Sequence, residues 1–203
     1  MIKLPTSLEN IETFMAIKVE SGKYWSETDI NPGVYGYQVQ KGTKWKEGLT
    51  EEQIKDFEKE MGLTFPLPLI NFYLTMNGLD KPGINVSGSN KGEPKYQPIY
   101  YSYPENLPQI KEMIAWIYEE NHIEQETMLQ AGISRIFPIS GHRFMLVDEP
   151  TCPILSMYGT DIIYLSENIV NMLVNEIFDN VENISEFENP PTNAPKIKYW
   201  LKV

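Results

Sequence analysis

The densest chemistry in this sequence lies between residues 140 and 152, where Ser140, His142, Arg143, Asp148, Glu149 and Cys152 stand close together. A serine or cysteine nucleophile beside a histidine base suits acyl transfer if the two come within hydrogen-bond reach. The local pattern argues against that use. Ser140 lacks the Gly-x-Ser-x-Gly elbow, and Cys152, next to Asp148 and Glu149, is placed for a raised thiol pKa. Zinc needs several ligands at short spacing, whereas the two histidines, His122 and His142, are far apart and Cys152 is the single cysteine. The adjacent carboxylates Asp148 and Glu149 read as a solvated strand end more readily than as a site for a hard cation. Carboxylate pairs for glycoside hydrolysis meet only in space, and no spacing here selects one. No catalytic residue, metal or cofactor is expected.

The elements that position these residues follow from periodicity. Ile136 to Asp148 reads as a hairpin: an apolar strand, a Ser-Gly-His-Arg turn and a second apolar strand. Ile162 to Leu165 leads on to Ser166, the expected cap of a helix from Glu167 to Phe178. Ile169, Val170, Leu173 and Ile177 form its apolar side; Asn168, Asn171, Asn175 and Asp179 form the polar one. Upstream, Asn106 is the expected cap of a helix carrying Ile110, Met113, Ile114, Ile117 and Tyr118, and a shorter helix spans 124–130. The Gly- and Pro-rich stretch 79–97 matches no phosphate-binding pattern and reads as an elaborated loop of the kind that carries recognition. Near the start, a short helix over 8–19 has Leu8, Ile11, Met15 and Val19 along one side, followed by a turn at 21–25 and a strand at 34–39. At the end, alternation from Lys196 to Val203 suggests a lysine-guarded edge strand.

Residues 49–78 organise the rest. Thr50 and Gln53 make a capping box, Ile54, Phe57 and Met61 share a helix face, and Gly62 is the terminator. A second helix opens at Pro66 and Pro68 and runs through Leu69, Phe72, Tyr73 and Met76 to a stop at Asn77-Gly78. This pattern, from Leu49-Thr-Glu-Glu-Gln-Ile54 through Gly62-Leu63 to Phe72-Tyr73-Leu74 and Asn77-Gly78, resembles the SUKH superfamily of SMI/KNR-type domains. The Phe137-Pro-Ile hairpin, the strand at 154–158 and its turn extend the resemblance over about 45–180. It implies an α+β fold, with a curved, mostly antiparallel sheet packed by helices. The whole chain, 1–203, is expected to be a single such domain, with an N-terminal extension at 1–44 and a tail at 189–203.

Charge bears on the partner. The net charge is −11, and between Phe144 and Pro195 there is no Lys or Arg, while nine Asp and Glu residues fall there. Such a block disfavours nucleic acid; it reads either as a solvated face that keeps the protein soluble or as a surface steered toward a basic protein. No apolar run is long enough for a bilayer span, no signal peptide is legible at the start, and one cysteine fits a reducing compartment, so a cytoplasmic protein is expected. The resemblance implies a non-enzymatic binding protein, an immunity protein that neutralises a cognate polymorphic toxin, often a nuclease, by direct contact. The alternative is a regulatory scaffold of the cell-wall-assembly type with several weak partners. From charge and placement, Asp80, Asp148, Glu149 and Asp161 are the expected partner-binding residues.

Overall fold

Asn10 starts the first helix, its Oδ1 accepting the Thr13 amide at 2.8 Å. The computed structural model describes residues 9–27, 36–37, 39–85, 96–128, 130–178 and 197–201. Helix α1 (Ile11–Glu27) runs straight through residues 21–25, expected as a turn. Its buried side is Phe14, Ile17, Ser21 and Trp25, whereas Ile11, Met15 and Val19 stand 46–50% exposed. Leu8 lies outside the described residues. The expected stripe has helical spacing but faces outward. The aromatic side wins because Phe14 meets Phe72 edge-on at 5.9 Å and Trp25 lies 5.7 Å from Trp45, burying far more surface per residue.

Of the strand expected at 34–39, Gly36–Tyr37 form β1 and Val39 lies beyond it, while residues 34, 35 and 38 lie outside the described residues. Ahead of Gly48 the chain forms a strand, β2 (Trp45–Glu47). Helix α2 (Glu51–Met61) closes the expected capping box at Thr50 and ends on Gly62, whose φ of 61° is the left-handed conformation that glycine adopts without a Cβ clash. Helix α3 (Leu67–Thr75) opens on Pro66 and Pro68 as expected, but it stops before Met76. Met76, Asn77 and Gly78 belong to β3 (Met76–Leu79), antiparallel to β2 with Trp45 opposite Leu79. Long-range bonding overrides the helical stop here. Leu49 N donates to Tyr73 O at 2.7 Å, and Asp80 N to Lys44 O at 2.9 Å, so the chain either side of the helix pair is tied together. Trp45 is buried beneath this junction.

Strands β4 (Ile84–Asn85) and β5 (Tyr96–Gln97) fall inside the stretch 79–97 expected as a loop, with β4 between β1 and β5 in an antiparallel sheet; residues 86–95 lie outside the described residues. Helix α4 (Leu107–Glu120) buries Ile110, Ile114, Ile117 and Tyr118. Asn106 stands at its N-cap position but does not cap it: Oδ1 accepts instead from the amide and hydroxyl of Ser102, both at 2.9 Å. A short helix, α5 (Gln125–Met128), precedes the main sheet. That sheet is an antiparallel meander of β6 (Ile136–Ser140), β7 (Arg143–Leu146), β8 (Ile154–Tyr158) and β9 (Asp161–Ser166), in that order. The final helix, α6 (Ile169–Phe178), is capped by Asn168, whose Oδ1 accepts the Asn171 amide at 2.8 Å; Ser166 instead bonds the Asn168 carbonyl.

Residues 197–201 form a turn, with Leu201 N donating to Ile197 O, rather than the expected edge strand. Ile197 and Trp200 are buried while Tyr199 is 45% exposed, a helical rather than an alternating pattern. Trp200 decides it, since its indole N–H reaches Ser134 O at 2.8 Å and its ring stacks near Tyr118. The architecture is the expected α+β mix of antiparallel sheets and packed helices. Its centre is aromatic: Phe57, Phe65, Tyr73 and Phe137 meet within ring distances of 5.0 to 6.4 Å, joining α2 and α3 to β6.

Candidate functional site

The residues at the β6–β7 turn do come together, but around a partner from far along the chain. Glu176 of α6 accepts from Arg143 Nε at 2.9 Å, Ser140 Oγ at 3.2 Å and Tyr100 OH at 3.5 Å. Arg143 Nη1 reaches Ser156 Oγ at 2.7 Å and contacts His142 Nε2. Burial pushes the Glu176 carboxyl upward, and Arg143, Ser140 and Tyr100 pull against it. The unit is a partly buried ion pair satisfied by hydroxyls, which is what such a pair needs to persist. Reading the sequence alone missed Glu176, though one signal was present. Arg143 is the last Lys or Arg before a stretch with none until Lys196, so a buried carboxylate within that stretch must take its cation from outside it, and Arg143 borders it.

The geometry does not assemble a nucleophile. Ser140 donates to a carboxylate, and His142 is pushed down to about 4 by burial and then by the Arg143 charge, so it is neutral near pH 7. Cys152 is buried, its Sγ donates to Glu149 O at 3.3 Å, and its pKa rises to about 11 through burial and then Glu9, Asp148 and Glu149. Among the described residues no three His, Cys, Asp or Glu side chains converge as metal ligands, and no helix is long and apolar enough to cross a membrane.

Three of the four expected partner-binding residues hold internal partners. Asp148 takes Arg135 in a forked pair, with Arg135 Nη2 at 2.6 Å from Oδ1 and Nε and the backbone amide at 3.0 and 2.8 Å from Oδ2. Burial alone would raise its pKa, but the Arg135 hydrogen bonds and charge outweigh that and hold it low. Glu149 Oε1 accepts from Ser134 Oγ at 2.5 Å. Asp80 Oδ1 accepts the Lys44 amide at 2.8 Å, closing the β2–β3 end. Asp161 is exposed at the start of β9, and Glu167 is exposed just past its end. Asp179, Glu182, Glu186 and Glu188 lie outside the described residues.

Beside Asp161 the surface is apolar and aromatic. Tyr158 is 69% exposed, with Trp116 edge-on at 5.2 Å on one side and His142 at 6.3 Å on another, and Ile163 is 47% exposed. A separate cavity of about 450 Å³ lies among Met61, Leu63, Ile114 and Met128. The cations lining it, Lys111 and Arg135, already face Glu60 and Asp148.

Residues 48–148 match the SMI1 / KNR4 family (SUKH-1). The matched segment takes in α2, α3, α4 and the β6–β7 hairpin and ends ahead of β8. Neither a curated protein nor a solved structure matches the chain.

Proposed function

From the premise that the chain carries a SUKH-1 domain over residues 48–148, we propose that it is an immunity protein that binds and neutralises a cognate toxin domain in the cytoplasm. The observation that carries this reading is the segregation of charge. The acidic stretch presents Asp161 and Glu167 beside exposed Tyr158 and Ile163, a combination of steering charge and apolar anchor suited to a basic protein. The proposed contact residues are Asp80, Asp148, Glu149 and Asp161. Asp161 is the most informative of them to alter, because the other three also hold the fold together.

Co-expression with candidate toxins, the C-terminal domains of any large secreted proteins encoded near this one, tests the reading. Growth rescue together with a stable complex that weakens at least tenfold from about 50 to 500 mM salt is expected, as screening of exposed charges requires. Asp161→Lys should speed dissociation and slow association. Absence of toxicity, or toxicity without rescue or complex, would overturn the pairing and leave the scaffold alternative, with several weak partners, in front.

A further inference from the structure

Strand β9 ends the four-stranded sheet. It pairs with β8 through Ile154–Tyr158, and among the described residues no strand or loop bonds its other side. Its sequence, Asp161-Ile-Ile-Tyr-Leu-Ser166, has neither a proline nor a lysine to guard that edge, and the register shift at Leu165 leaves Asp161 to Tyr164 in regular pairing. Antiparallel geometry directs the amide and carbonyl of alternate residues outward, so this edge offers a ready row of donors and acceptors. We propose that β9 is a strand-addition site, which captures an extended segment of a basic partner chain as an additional antiparallel strand.

Charge selects that occupant over a second copy. Exposed carboxylates stand at the start of β9, Asp161, and just past its end, Glu167, the six-residue strand between them spanning about 17 Å at strand rise. An incoming strand with lysine or arginine near each end meets both, while its apolar residues lie alongside Ile163. A second copy of this chain would instead bring β9 and its acidic flanks against themselves, with net charge −11 on each molecule. Main-chain bonds supply the affinity in this mode, and the terminal charges supply the choice of partner. The inference rests on the binding reading above and says where and how the partner docks.

The test uses the full chain, isotopically labelled, and two synthetic peptides of eight residues. One alternates valine and threonine with a lysine near each end; the other carries glutamate in the lysine positions. The lysine peptide should shift the amide resonances of 161–166 and slow their hydrogen exchange, and the glutamate peptide should bind at least fivefold more weakly. Ile163→Lys, at an exposed position that a lysine fills without refolding, should weaken the lysine peptide at least fivefold. No response at β9 up to millimolar peptide, equal response to both peptides, or concentration-dependent dimerisation through β9 would each overturn the proposal. Its fate is separable from that of the immunity reading. A neutralised toxin whose complex leaves the β9 amides unprotected sinks strand addition alone, and peptide capture at β9 without toxin rescue sinks the immunity reading alone.

Discussion

At the scale of single residues, the decisive group is Glu176, which turns a suggestive cluster of Ser140, His142 and Arg143 into a structural anchor. The partners Glu176 and Arg143 are 16% and 25% exposed, so each needs the other. Arg143→Ala should cost about 3 kcal/mol in urea unfolding, because it leaves a carboxylate with little water and no cation. The double replacement Arg143→Met with Glu176→Leu should recover most of that loss, and a double-mutant cycle measures the coupling. Ser140, His142 and Arg143 are adjacent in sequence and were legible as neighbours. Glu176 lies thirty-three positions from Arg143, and only packing of α6 against the sheet brings it in.

Elements explain why the helix pair tolerates so little change at its entrance. A Cβ at Gly48 would stand 1.9 Å from the Leu74 carbonyl oxygen and 2.4 Å from its carbon, backbone atoms that cannot swing aside. Gly48→Ala should therefore cost about 3 kcal/mol or more, read as a shift in the denaturant midpoint. Gly62→Ala meets open space and only the left-handed φ, so a loss of about 1 kcal/mol is expected. The same junction shows why α3 was read as too long. Its Met76 continues the apolar period, yet Asn77 leaves the helix to bracket Tyr103, donating from Nδ2 to the Tyr103 carbonyl at 2.7 Å and accepting the Tyr103 amide at 2.8 Å. Thr50 and Gly62 were legible because a cap is a local affair. The β2–β3 pairing was not, because its partners are thirty residues apart.

For the whole molecule, the acid response follows from where its titratable groups are placed. His142 has its folded pKa lowered to about 4 from 6.5, so the unfolded chain binds the extra proton between those values. This group's contribution is full above pH 6.5 and is lost as pH falls toward 4. Asp148, held below its ordinary value of 3.8, loses its contribution lower still, while Glu176, raised, works in the opposite direction above 4.5. The difference isolates the histidine: melting temperature from pH 7 to 4 should fall less in His142→Asn than in the unchanged protein. A parallel decline in both would refute that assignment.

Through its resemblance to SUKH domains the sequence pointed to the α+β class, and by itself it determined the caps of the α2–α3 helix pair, the β6–β7 hairpin and the cation-free stretch after Arg143. These depend on caps, turns and periodicities spanning a few residues, or on composition, and need no partner from elsewhere. Tertiary structure alone decided which side of α1 is buried, that 197–201 is a turn under Trp200, and that Asp80, Asp148 and Glu149 hold internal partners while Asp161 faces water. Periodicity defines a stripe without saying what lies opposite it, and a carboxylate in a sequence carries the same formal charge whether or not an arginine waits across the fold.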